Sequence, residues 1–227
     1  MTRLSVVLLG ASVTLLGCPS VHTMRGGEVL PEGKSEIVTH VGMNGALVAA
    51  SATAEGESES DSAAAVLPWA AFSYRRGLGN KLDFQVKTDL GIFPELGVGY
   101  QLVGTPGQGG TAISLYAGAK YFSAGAGDSS VSVVYAPLTM LADLPLGSAS
   151  LMVKGGVMVL GAMGGDESSF TAKPLVGVGA RVKMGGLTLL PEVNYMHAGS
   201  ESASSDDGSS SVSVGGGLIA YGLGFAF

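Results

Sequence analysis

The sequence predicts an all-β chain closed into an antiparallel, transmembrane up-and-down β-barrel of about ten strands, with eight or twelve as the alternatives. Three observations predict it. Of 227 residues 46% are apolar and only 13% charged, with 37 glycines and a mean hydropathy of +0.41, so the chain is oily yet full of turn formers. Apolar side chains recur at every second position over many segments, which puts them on one face of a strand and would scatter them around a helix. Beyond the N-terminal segment no run reaches the roughly 18 uninterrupted apolar residues that a spanning helix needs.

The composition also excludes classes. A disordered chain needs few apolar residues and many charges. The formal net charge of -6 leaves no basic surface to displace counterions from phosphate, so nucleic acid is not a partner. A single Cys excludes a disulfide framework and a multi-Cys metal site. No cofactor and no metal site is expected.

The alternation can be followed strand by strand from Glu36 to Phe227, in segments near 36–49, 65–76, 82–91, 95–104, 111–123, 130–142, 148–161, 170–184, 187–197 and 211–227. In Leu82 to Leu90 the residues Asp83, Gln85, Lys87 and Asp89 fall on one face and Phe84 and Val86 on the other. Ile113, Leu115, Ala117, Ala119 and Tyr121 alternate with Ser114, Tyr116, Gly118, Lys120 and Phe122. Val176, Val178, Ala180 and Val182 alternate with Gly177, Gly179, Arg181 and Lys183. Ten such segments give about 19 residues per strand and connection, as a membrane-crossing strand of about 9–11 residues plus a turn requires.

The connections divide into two kinds. Ser51 to Ala64, the short Ile92-Phe93-Pro94 region, Ala124 to Ser129, Ala162 to Ser169 and Ala198 to Ser210 read as external loops, mostly long and Ser/Gly/Ala-rich, whereas Gly77 to Asn80, Thr105 to Gly110, Asp143 to Gly147 and Gly185-Gly186 are all short. Barrels of the outer membrane have short periplasmic turns and longer outer loops. Glu55, Glu57, Glu59, Asp61, Asp128, Asp166, Glu167, Glu201, Asp206 and Asp207 are ten of the 18 acids, and all lie in the long connections, which hold no Lys or Arg. These acidic stretches read first as solvated loops, with cation bridging to neighbouring lipid or ligand binding as the functional alternatives. An even strand number would put both chain ends on the periplasmic side.

Residues 1–17 carry Arg3 and then an apolar run, Leu4 to Leu16, the layout of a cleaved signal peptide. The run ends in Leu15-Leu16-Gly17-Cys18, which resembles the lipobox of bacterial lipoproteins. The resemblance implies that Cys18 is acylated, that lipoprotein-processing machinery acts on the chain, and that outer-membrane lipid is a partner. Pro19 stands where enterobacterial members retained at the inner membrane have Asp, so the resemblance implies the outer membrane. Residues 18–35 lack periodicity and read as a lipidated tether; residues 36–227 form the barrel.

At the other end Ile219, Tyr221, Leu223, Phe225 and Phe227 alternate with Leu218, Ala220, Gly222, Gly224 and Ala226. This strand resembles the C-terminal signal of bacterial outer-membrane β-barrels, in which a terminal aromatic closes an alternating strand. It implies that barrel-insertion machinery reads Tyr221, Leu223, Phe225 and Phe227, in the outer membrane of a Gram-negative bacterium. Tyr74, Tyr121, Tyr135 and Tyr195 fall on the outward phase as an aromatic girdle; Trp69 has no readable phase.

If apolar positions face lipid, the opposite phase sends Glu36, His40, Asn44, Arg75, Asp83, Lys87, Asp89, Glu95, Lys120, Lys154, Arg181, Lys183, Glu192 and Asn194 into the lumen. Buried ions need partners, and Arg181 with Glu192 is the pair the β-hairpin spacing suggests. His40, beside Glu36 and Asn44, reads as a satisfied interior residue. Gly97, Gly99, Gly118, Gly156, Gly177, Gly179, Gly222 and Gly224 on the same phase leave space inside.

No P-loop, H-E-x-x-H, Gly-x-Ser-x-Gly or C-x-x-C occurs. His197, Ser200 and Asp206 could be imagined as a rim triad, as could an omptin-like Asp and His, but a Ser-rich segment supplies such company by chance. The chain is therefore not expected to be an enzyme. The expected function is that of an outer-membrane barrel lipoprotein, structural or a passive small pore. The alternatives are a lipid-tethered, soluble lipocalin-like barrel that binds an apolar ligand, and a surface adhesin or receptor acting through acidic loops.

Overall fold

A computed structural model of the chain describes residues 21–54, 57–89, 93–126, 129–164, 167–204 and 210–227. Ten strands follow one another: β1 (Ser35–Ala54), β2 (Glu57–Gly79), β3 (Leu82–Asp89), β4 (Phe93–Val103), β5 (Ala112–Ala126), β6 (Ser129–Leu146), β7 (Ala149–Gly164), β8 (Glu167–Met184), β9 (Leu187–Ser204) and β10 (Ser210–Ala226). Each pairs antiparallel with its neighbours in sequence, and β1 pairs with β10 to close the barrel. The expected fold and the expected strand number are both observed. Closure gives every strand two partners, with Glu57–Ala70 of β2 rising past the end of β3 and pairing with β1 alone.

The strand ends correct the expected loops. Ala54 pairs with Glu57, Ala126 with Ser129 and Gly164 with Glu167, so the Ser- and Ala-rich stretches are largely continuations of the ladders. Their alternation is invisible because Ser, Ala and Gly present two similar faces. Side chains of the acidic tips, including Glu55, Asp128, Asp166, Asp206 and Asp207, lie outside the described residues.

The two faces are as the alternation requires. Ile37, Val41, Phe72, Leu96, Val98, Leu115, Leu138, Met140, Val153, Val176, Val178, Val193, Ile219 and Tyr221 point outward and are exposed. Asn44, Arg75, Asp83, Lys87, Glu95, Lys120, Lys154, Arg181, Glu192 and Asn194 point inward and are buried, with Glu36 and Asp89 half-buried beside them. Lys183 departs from the expectation: it is exposed, two residues before the Gly185-Gly186 turn, where the wall no longer encloses it. On β10 the outward set Ile219, Tyr221 and Phe227 is exposed while Leu218, Ala220, Gly224 and Ala226 are buried.

Tyr135 also departs from it, pointing inward at 5% exposure. Strand β6 reads Val133-Val134-Tyr135-Ala136-Pro137-Leu138, apolar on both phases, so its register could not be taken from hydropathy. Trp69 faces inward as well.

The largest difference concerns Val21 to Val29, part of the stretch read as a tether. Val21, His22, Thr23, Met24, Arg25 and Val29 are all at most 4% exposed, because this segment runs through the lumen. Phe227 and the start of β1 lie together at the short-turn end, joined by Ile37–Phe227 backbone hydrogen bonds. The chain before β1 then climbs inside: Leu30 bonds to Asp83 near that end, whereas Val21 packs with Leu218 and Ala220 well up β10. Val21 thus lies inside the lumen, level with the middle of β10.

Candidate functional site

The lumen is the candidate site, and the segment Val21–Leu30 fills it. An extended chain without a neighbouring strand has bare N–H and C=O groups that must be paired when buried. The wall pairs them with side chains. Gln101 Oε1 accepts from Val29 N at 2.9 Å, Asp83 Oδ2 from Leu30 N at 3.2 Å and Asp143 Oδ2 from Glu28 N at 3.2 Å. In the other direction Arg75 donates to Glu28 O at 2.9 Å, Gln85 to Thr23 O at 3.1 Å and Lys87 to His22 O at 2.8 Å.

The side chains of the plug complete ion pairs that the wall leaves open. Arg25 Nη1 lies 2.9 Å from Asp83 Oδ1, with both side chains wholly shielded from solvent, and its guanidinium stands 5.1 Å from the centroid of the Tyr116 ring. Asp83 also receives Arg75 at 2.7 Å, and Arg75 in turn holds Glu36 at 2.7 Å. Lys87 pairs with Glu95 at 2.8 Å, which also accepts from Tyr116 at 2.6 Å; Lys120 pairs with Asp89. Lys154 meets Glu192 at 3.2 Å, and Glu192 bonds to His22. Arg181 meets Glu28 of the plug at 3.4 Å, so the expected Arg181–Glu192 pair is replaced by two pairs that each involve the plug.

Apolar residues of the plug find apolar pockets at two levels. Val21 belongs to a cluster with Tyr135, Met158, Leu175, Met196 and Leu218. Met24 belongs to one with Val38, Trp69, Ala71, Met152 and Leu190. The inward glycines make the room: a Cβ on Gly99 would collide with the Arg25 guanidinium, and one on Gly97 with the Tyr116 ring. Gly26 and Gly27 do the same from the other side. A Cβ on Gly27 would stand 2.7 Å from Ala112 O and 2.8 Å from Leu141 O, both backbone atoms that cannot move aside cheaply. A cavity of about 10 Å³ remains beside Arg25, Met152 and Glu192, room for about one water molecule.

His40 is interior, as expected, but not satisfied by Glu36 or Asn44. It stands edge-on to His22 at 4.8 Å and to Trp69 at 4.8 Å, and neither of its ring nitrogens makes a hydrogen bond. His22, His40 and Glu192 form a cluster of potential metal ligands that alternation alone does not reveal. Arg25, Glu28, His22 and Trp69 are the functional residues that sequence reasoning missed. The available signal was a glycine-lined interior next to an unassigned segment carrying Arg25, Gly26, Gly27 and Glu28. His197 lies exposed at the rim, with Nδ1 3.3 Å from Tyr195 Oη; the Ser200 and Asp206 side chains fall outside the described residues.

Comparison with known proteins adds a fold-level likeness. No protein-family model matches the chain, and no curated protein sequence matches it. Solved structures of similar shape include the outer-membrane protease OmpT of Escherichia coli, at 9% identity, covering 92% of this chain and 100% of that one, with a TM-score of 0.41. Outer membrane protein OprG of Pseudomonas aeruginosa matches at 9% identity over 88% of this chain and 99% of that one, TM-score 0.37. The attachment invasion locus protein Ail of Yersinia pestis matches at 13% identity over 83% and 99%, TM-score 0.31. At such values the likeness extends to the barrel and no further. One expectation is corrected here: with a protease among these barrels, the fold gives no ground for excluding catalysis, and the sequence-based exclusion is withdrawn.

Proposed function

We propose that the chain is an outer-membrane β-barrel lipoprotein of a Gram-negative bacterium, shut by its own N-terminal segment, which conducts only when that segment leaves the lumen. The observation that carries this reading is the pairing of an apolar outer wall with a charged lumen filled by Val21–Leu30. Exposed apolar side chains spread over the wall fit hydrocarbon, where a water-soluble protein would expose them at a cost. A lipocalin-like barrel has the reverse arrangement, an oily interior and a wet exterior. The short turns belong on the periplasmic side and the acidic hairpins outside.

The lipobox at Cys18 and the aromatic end at Phe227 fit the same reading, with lipoprotein-processing and barrel-insertion machinery as transient partners. The oily clusters around Val21 and Met24 hold the segment in the lumen.

Planar-bilayer recording of the purified chain tests the reading. The wild type is expected to stay closed, whereas Gly27→Val, which cannot pass the β5–β6 backbone, gives discrete channel steps. Cys18→Ala is expected to remain closed while taking up no labelled fatty acid. A wild type as conductive as Gly27→Val would contradict the closure.

A further inference from the structure

Where His22 meets the wall, the plug and two strands assemble a donor set that the closure leaves unused. His22 of the plug, His40 of β1 and Glu192 of β9 are buried, and one ligand atom from each lies within 4.8 Å of the others. His40 Nδ1 is 3.9 Å from Glu192 Oε1, the same oxygen that contacts His22 Nδ1. Both nitrogens of His40 and Nε2 of His22 are buried without a hydrogen bond. Buried polar atoms nearly always have a partner, and His40 Nδ1, unpaired and facing the Glu192 oxygen that also meets His22, points to a cation held between them.

We propose that His22, His40 and Glu192 bind a divalent first-row transition-metal ion, Zn²⁺ foremost, which staples the plug to β1 and β9. Two neutral imidazoles and one carboxylate with a fourth position open are a donor set that Zn²⁺ accepts in tetrahedral geometry. Bonds of about 2.1 Å put tetrahedral donors roughly 3.4 Å apart, so the observed separations close by small side-chain rotations. Lys154 approaches Oε2 of Glu192 at 3.2 Å and leaves Oε1 to face the imidazoles.

Trp69 supplies both a dry wall and a reporter. Its ring stacks on His22 at 4.1 Å and meets His40 edge-on, and it is the single tryptophan of the chain. The site exists only while the plug is inside, so this inference rests on the closure proposed above.

The test is a titration of the full chain in detergent, stripped with chelator, with ZnCl₂ by calorimetry and with CuCl₂ by Trp69 fluorescence. One ion per barrel and quenching of Trp69 are expected. His40→Gln should weaken binding by roughly 10–100-fold or more, while His197→Ala, at the rim, leaves it unchanged. A retained heat-modifiable band shows that the variant is folded. Gly27→Val, with the plug expelled, should lose the site while keeping the barrel. No saturable binding by a wild type that bilayer recording shows to be closed overturns the metal site and spares the closure. Binding that survives His40→Gln overturns it too. A wild type that conducts overturns the closure and the site with it.

Discussion

Asp83 shows how much a single residue carries in this lumen. Its carboxylate takes Arg25 and Arg75 at 2.9 and 2.7 Å and accepts from Leu30 N, with no solvent contact. Taking one partner from a buried ion pair costs more than the pair contributes, because the remaining charge keeps its desolvation penalty. Asp83→Ala strands Arg25 entirely and leaves Arg75 with Glu36 alone. It should destabilise the closed form by about 3–5 kcal/mol, read as a lower urea midpoint for loss of the heat-modifiable band; an unchanged midpoint would contradict the pairing. That Asp83 and Arg75 point inward was legible from two-residue alternation in β2 and β3. Their partner Arg25 was not, since it lies 58 residues away on a segment with no period.

The elements differ in how openly they declare themselves. A wall strand has one lipid face and one lumen face, and β3, β4 and β10 show that as alternation. The plug is surrounded by wall: Arg75, Gln85, Gln101, Asp143, Lys154 and Glu192 reach it from six different strands. No face of it is distinct, so no pattern marks it. Strand β6 is ambiguous for the opposite reason, because Val21 gives its lumen side an apolar patch around Tyr135. In single-Cys variants on a Cys18→Ala background, Leu138→Cys should react with a lipid-soluble maleimide and Tyr135→Cys should not. Equal labelling would mean that the strand has the other phase.

At the scale of the whole molecule, one wall satisfies two solvents. Outward aliphatic and aromatic side chains suit hydrocarbon, and the ladders from β1 to β10 close on themselves. Inside, charges pair across the lumen and glycines clear a path for the N-terminal segment. Strand number, closure and facing could be read from composition and alternation, because each repeats ten times. The occupant of the lumen occurs once, and its contacts depend on a register that becomes visible only in three dimensions.

A disulfide between plug and wall tests that occupant most directly. A Cβ built on Gly26 lies 2.8 Å from Asp143 Cγ, the position that a cysteine sulfur would take at residue 143. In a Cys18→Ala background, Gly26→Cys with Asp143→Cys should oxidise to a species of altered mobility under non-reducing electrophoresis, still heat-modifiable and still closed in bilayers. A folded, heat-modifiable barrel in which both thiols stay free and open to aqueous maleimide would contradict the account.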